Sequence, residues 1–325
     1  MLTLRSCPVT VPRRTSGALL GMLVLGTLSA GSVSAQVRMT FRPAENSRQV
    51  HRLETSAKQV LTINGMEISS GTTQFIVTET TNGTRAADRT LKSAVRITHL
   101  QQELDINGTK LAFDSGNPDK KAEVAQLEPI LDILRVIAKA RYTFVYDAKN
   151  RVMKVEGTDK VLKAVSEELR PQLKDQFNSK SLAKAQNEEI ARLPDKPVKP
   201  GDTWERIETM TFEAGQVMTF GVVYTYAGTL EQNGKTLHRI TKKHLTVKYT
   251  QETDLPVPVK ITGSMLKVVG TKGTLLYDPA NNDVISSKMK VRMKGTLTLD
   301  INGQETKGDL DLTIGVKSQL QLPGG

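Results

Sequence analysis

The chain has 325 residues, 38% of them hydrophobic and 4% aromatic, with a single cysteine and a net charge of +11. That length supports a sizeable apolar core, while one cysteine excludes a disulfide framework. So few aromatics among the basic residues, with no basic-aromatic motif, argue against a nucleic-acid partner.

Arg5, Arg13 and Arg14 open the chain, an apolar run follows from Ala18 to Leu28, and small residues close it at Val33-Ser34-Ala35. Charge, apolar run and small-residue exit in that order predict a signal peptide over 1–35. The mature protein then starts at about Gln36 and is exported, to the periplasm or the exterior. That run spans 11 residues, short of the roughly twenty that cross a bilayer, so no transmembrane span is expected after cleavage. Ser16 and Gly17 follow Arg13-Arg14 where a twin-arginine signal wants apolar residues, so export unfolded and without a cofactor is expected. Cys7 lies ahead of the apolar run, not at its exit, so lipidation is not expected either. Cleavage leaves a cysteine-free chain of net charge +8. Its lysines alternate with apolar residues, as solvated strand faces do; attraction to anionic lipid or another polyanion is the alternative.

Residues 36–157 read as a β-rich half. Asn-Gly, which favours tight hairpins, occurs at Asn64-Gly65, Asn82-Gly83 and Asn107-Gly108, and again at Asn233-Gly234 and Asn302-Gly303. Three of the five close the pattern Leu-x-Ile-Asn-Gly, from Leu61, Leu104 and Leu299. Val124, Leu127, Leu131, Leu134 and Ala138 fall three or four apart and predict an amphipathic helix over about 119–140, which Pro129 either kinks or delays. Tyr142 to Tyr146 reads as a strand that turns at Asp147-Ala148-Lys149-Asn150 and returns through Val152 to Val155. Leu275 to Asn281 repeats that pattern, Tyr-Asp-x-x-Asn in both, which suggests two related β-units.

Residues 158–199 are the second helical region and a joint. Val161, Val165 and Leu169 are in helical register, Pro171 bends the stretch and Asn178-Ser179 breaks it. The joint runs from Leu193 through Pro194, Pro197 and Pro200 to Trp204, the only tryptophan. An indole there is expected to plug one end of the sheet and to need one partner for its N–H. Residues 200–325 form an antiparallel β half. Met218, Phe220, Val222, Tyr224 and Tyr226 share one face. Met289, Val291, Met293, Leu297 and Leu299 share another, with Lys290, Arg292 and Lys294 opposite. Leu310, Leu312, Ile314 and Val316 alternate in the same way.

The proline-rich joint Leu193-Pro194…Pro197-Val198…Gly201-Asp202-Thr203-Trp204, followed by a β-rich half, resembles a family of uncharacterised bacterial exported proteins, a domain of unknown function. That resemblance implies no activity. A fainter likeness is to the periplasmic lipoprotein-localisation carriers, and it implies a curved antiparallel sheet whose apolar inner face is covered by helices. No site residue transfers. The expected fold is therefore α+β: a curved, mainly antiparallel sheet or half-barrel with one apolar face covered by the central helices.

No catalytic constellation is found. His51, His99, His238 and His244 form no helical metal-binding pair. His238 and His244 would share a strand face about 20 Å apart, too far for one zinc. Thr262-Gly263-Ser264-Met265 is no nucleophile elbow, and Gly270-Thr271-Lys272-Gly273-Thr274 lacks the helix that a phosphate loop opens. No residue is assigned a catalytic, cofactor or metal role. The expected function is non-enzymatic binding of an apolar or amphiphilic ligand such as lipid, with Met218, Phe220, Tyr224 and Tyr226 as its first candidate contacts. The alternatives are an interaction protein of the envelope and a hydrolase with dispersed acidic residues.

Overall fold

The structure, a computed structural model, describes residues 36–321 apart from 175–176, 213–214 and 252–258. The predicted leader 1–35, with Cys7, lies outside the described residues. The strands are β1 (Arg48–Ile63), β2 (Met66–Asn82), β3 (Leu91–Ile106), β4 (Thr109–Asp114), β5 (Arg141–Tyr146) and β6 (Val152–Glu156). After the helical region come β7 (Thr203–Thr211), β8 (Gln216–Gln232), β9 (Lys235–Gln251), β10 (Val259–Asp278), β11 (Asp283–Ile301) and β12 (Gln304–Gln321). All pairings are antiparallel, in the order β6-β5-β3-β2-β1-β12-β11-β10-β9-β8-β7, with β4 added on β3. The path is open, ending at edges β6 and β7.

Four Asn-Gly pairs make the hairpins their chemistry predicts. Asn64, Asn107, Asn233 and Asn302 have φ of 49–53° and the following glycines φ of 71–86°, both positive as a type I′ turn requires. Asn82-Gly83 is different: it ends β2 without a two-residue turn, and β2 pairs with β3 across the longer connection 83–90. Asn82 is buried, donates to the Ala44 carbonyl (2.9 Å) and Ser47 Oγ (3.0 Å), and accepts from Ser93 Oγ (2.6 Å).

The two Tyr-Asp-x-x-Asn loops share a partner, the segment ahead of β1. Asn150 Nδ2 donates to the Phe41 carbonyl (3.0 Å), and Tyr277 Oη donates to the Thr40 carbonyl (3.0 Å). The Arg42 N–H reaches the Asn282 carbonyl (3.0 Å), while Val37 bridges to Val198 in the joint. Met39, between them, is 1% exposed. One extended segment thus ties the β5–β6 loop, the β10–β11 loop and the joint together. The left-handed position is Asn150 in one loop and Asn282, one residue later than the pattern, in the other.

The balance of elements is mainly β rather than α+β. The helices are short: α1 (Glu128–Ala138), α2 (Thr158–Lys163), α3 (Arg170–Lys174) and α4 (Ser179–Ile190). Pro129 delays α1, which starts nine residues after the predicted Asp119 and carries the proline in its first turn. Asn178 is the break, and its Oδ1 caps α4 by accepting the Ser181 N–H (2.8 Å).

The helices also cover a different part of the sheet from the one expected. Leu131 and Leu134 of α1 pack on Leu100, Leu111 and Phe113 of β3 and β4. Leu182, Ala183 and Ile190 of α4 pack near Tyr146, Val152 and Val155. The apolar rows of β8 to β12 are instead buried with one another and with Met39, Leu193 and Val198; Met218, Phe220, Val291 and Met293 are each 0% exposed. The reason lies in the helices. The four apolar side chains of α4, two of them alanines, cannot cover five long strands, and the two-residue connection from α1 to β5 holds α1 beside its neighbours in sequence.

Candidate functional site

The residues singled out as first ligand contacts are core. Met218, Phe220, Tyr224 and Tyr226 are 0–2% exposed, so no ligand meets them in this conformation. The polar ends of both tyrosines are satisfied inside: Tyr226 Oη with His238 Nδ1 (2.7 Å), and Tyr224 Oη with Glu208.

Glu208 centres a buried charged cluster. Alternation on β7 aims it inward opposite Phe220, and alternation on β9 aims His238, Ile240, Lys242 and His244 to the same side. Lys242 Nζ lies 2.5 Å from Glu208 Oε2 and 5.7 Å above the Tyr224 ring. Arg192, just after α4, reaches Glu208 at 3.5 Å and pairs with Glu189. Trp204 stacks on Tyr224 at 5.6 Å and donates Nε1–H to the Arg192 carbonyl (2.9 Å). Arg206 binds the Leu193 carbonyl (2.9 Å) and Asp195 (3.0 Å). The tryptophan is the anchor expected of it. With the cluster it fastens the end of α4 and the joint to β7.

The electrostatics follow from burial. Burial pushes Lys242 down to about 8, helped by Arg192 and opposed by Glu208. Burial alone would raise Glu208, but Arg192 and Lys242 outweigh it and hold the carboxyl below its ordinary value. Burial and nearby Lys242 lower His244 to about 4, so its ring is neutral at pH 7. His244 Nδ1 meets Thr271 Oγ1 at 3.0 Å. The central pair is shut off from solvent, with 3% of the Lys242 side chain and 7% of the Glu208 side chain exposed. It escaped notice in the sequence, yet Lys242 stands at an inward position between Ile240 and His244, which is the signal that could have found it. His238 and His244 do share a face, each in its own hydrogen bond. Among the described residues no three His, Cys, Asp or Glu side chains converge as metal ligands. Gly263-Ser264 and Gly270-Thr271-Lys272-Gly273 lie within β10.

The accessible feature is on the other face. A shallow trough of about 510 Å³ crosses five strands, β11-β12-β1-β2-β3. One wall is the cross-strand row Lys288, Lys317, Glu54, Phe75, Gln101; the other is Lys290, Gly315, Ser56, Thr73, Glu103. Gly315, Ser56 and Thr73 keep the second wall low. Lys317 pairs with Glu54 (2.8 Å), whereas among the described residues no acid pairs with Lys288 or Lys290. The trough is cationic at its β11 end and carries one aromatic, Phe75, on β2, the fourth of the five strands. Its volume is in the range of small-molecule sites.

A family model described as a family of unknown function (DUF6263) matches residues 88–310. No curated protein matches the chain. Among solved structures the chain is similar to lipovitellin, studied for its lipid–protein interactions, at 12% identity and TM-score 0.41, covering 87% of this chain and 25% of that one. The chain thus spans a quarter of lipovitellin's length. It is also similar to DynF of the dynemicin biosynthesis pathway of Micromonospora chersina (7% identity, TM-score 0.20, 92% of each chain). A third is OccK7 of Pseudomonas aeruginosa (7% identity, TM-score 0.21, 85% of this chain and 100% of that). All three scores are below the level at which a shared fold follows.

Proposed function

The chain belongs to the family of unknown function DUF6263, and we propose that it is an exported, non-enzymatic envelope protein that holds an amphiphile with an anionic head. Export rests on the leader-like order of residues 1–35. The sheet is a half-barrel whose apolar side serves as its own core, so the ligand binds outside it. The trough carries this reading. Five strands at about 4.8 Å spacing make it about 19 Å long, the reach of a fatty-acyl chain. Lys288 and Lys290 take the head, and Phe75 with the low wall at Gly315 and Ser56 takes the tail.

Native mass spectrometry of the protein purified from an envelope fraction tests this, together with displacement of a dansyl fatty acid. The wild type is expected to retain an anionic amphiphile. Ser56→Phe, which fills the trough from an exposed position, is expected to weaken the dansyl probe tenfold or more. Neither a bound amphiphile nor any probe binding would refute the reading. Trp204 is packed against Tyr224 and reports the fold, not the ligand.

A second reading, an interaction protein of the envelope, is favoured by the open edges of the sheet and by Ile207, 69% exposed on edge strand β7. Unpaired edges template association with another chain. Crosslinking in cells that captures a stoichiometric neighbour through β7, with no amphiphile retained, would favour it.

A further inference from the structure

We infer that the outward face of β10 and β11 docks on an anionic bilayer surface. This surface adjoins the trough and shares Lys288 and Lys290 with it; Met265, Lys267, Val269, Lys272, Arg292 and Lys294 are its own. Outward positions of β10 pair across to β11 as Met265 with Thr296, Lys267 with Lys294, Gly270 with Arg292, Lys272 with Lys290, and Thr274 with Lys288. Six cations and no acid stand on these five rungs. One strand further, Lys288 again faces a lysine, Lys317. Like charges directly opposite one another destabilise a sheet. From β12, Asp311 binds Arg292 (2.7 Å) and Lys294 (2.9 Å), and Asp309 stands opposite Thr296 and accepts from its hydroxyl (3.0 Å). Among the described residues Lys267, Lys272, Lys288 and Lys290 have no acidic partner. The folded chain therefore carries an uncompensated repulsion that a layer of anions would relieve.

Charge alone would suit any polyanion; the apolar residues decide the occupant. Met265 is 69% exposed and Val269, the extra residue of the bulge between Val268 and Gly270, is 53% exposed. Both stand on the strand that carries Lys267 and Lys272. Apolar side chains interspersed with lysines suit the headgroup boundary, where the former enter the acyl region and the latter bend back to phosphates. A soluble polyanion would leave Met265 and Val269 wet. The five rungs span about 30 Å along the strands, a broad and shallow contact fitted to a surface rather than to a small ligand.

Co-sedimentation of the mature chain from Gln36 with vesicles tests the inference, using phosphatidylglycerol mixed with phosphatidylcholine against phosphatidylcholine alone. Binding is expected to the anionic vesicles only and to fall as salt rises. Lys267→Glu with Lys272→Glu, both outside the trough, is expected to weaken it about twentyfold or more, and the Gln pair by less. Met265→Ser is expected to weaken vesicle binding without altering binding to soluble polyglutamate. All are exposed, and the Glu pair turns two lysine–lysine rungs into lysine–glutamate ones, so thermal melts should be at or above the wild type. No binding to anionic vesicles, or no loss in the Glu pair, overturns the inference. Polyglutamate binding as tightly as vesicles, with Met265→Ser silent, overturns it in favour of an acidic protein. Ser56→Phe should leave vesicle binding intact, so failure of the trough reading and failure of this one are separable.

Discussion

Glu208→Leu is expected to lower the stability of the fold by about 4 kcal/mol, because it strands two buried cations. Lys242 and Arg192 both meet that carboxylate, and Tyr224 donates to it. Removing one partner of a buried pair costs far more than the pair contributes, since the remaining charge has no water to return to. The double variant Glu208→Leu, Lys242→Met should recover part of the loss, and urea unfolding of the four proteins gives the coupling. A loss under 1 kcal/mol in the single variant would contradict the cluster. The pH dependence is a second readout. Lys242 titrates at about 8 in the folded chain against an ordinary value of 10.5. Between pH 8 and 10 the unfolded chain therefore binds more protons, and stability rises with pH. Above pH 10 the trend reverses, because burial pushes Tyr142 and Tyr249 up to about 12 and the unfolded chain loses tyrosyl protons that the folded one keeps. Lys242→Met should flatten the rise from pH 8 to 10 and leave the reversal.

Gly295→Ala is expected to cost about 3 kcal/mol or more. Gly295 has φ of +149°, and a Cβ there would lie 2.0 Å from the Met265 carbonyl oxygen and 3.0 Å from Leu266 Cα. Those are backbone atoms of the paired strand, so no rotamer change relieves the overlap, and β10 and β11 must part in mid-sheet. Gly303→Ala is the contrast. Its φ is +86° but nothing lies within 4 Å of the added carbon, so only the left-handed strain of about 1 kcal/mol is expected. Thermal melts that rank the two alike would show that the close approach does not exist.

How much of this was legible in the sequence depended on period and distance. The alternation of Met289 to Leu299 and of Met218 to Tyr226 identified the buried rows residue by residue, because a strand's two faces are fixed by local geometry. Asn-Gly identified four turns for the same reason. It misled at Asn82, whose hydrogen-bond partners Ala44, Ser47 and Ser93 come from elsewhere in the chain. The joint was visible in its prolines, and the indole's need for a partner was met by the Arg192 carbonyl. The family likeness read from that joint holds. What covers a sheet face was not legible, since it depends on which apolar rows meet in space. The expected helical cover went to β3–β6, and the tyrosines expected to touch ligand closed into the core. The Glu208 cluster and the trough are both products of cross-strand register, joining residues such as Lys288, Glu54 and Gln101 that no local pattern connects.

The central claim is that binding takes place on the outward, lysine-bearing face and not within the apolar interior. Photolabelling with a diazirine fatty acid, followed by peptide mapping, tests it most directly. Label is expected on the peptides that carry Ser56, Phe75 and Lys288 to Lys290. Label concentrated instead on the β8 peptide from Met218 to Tyr226 would contradict the account.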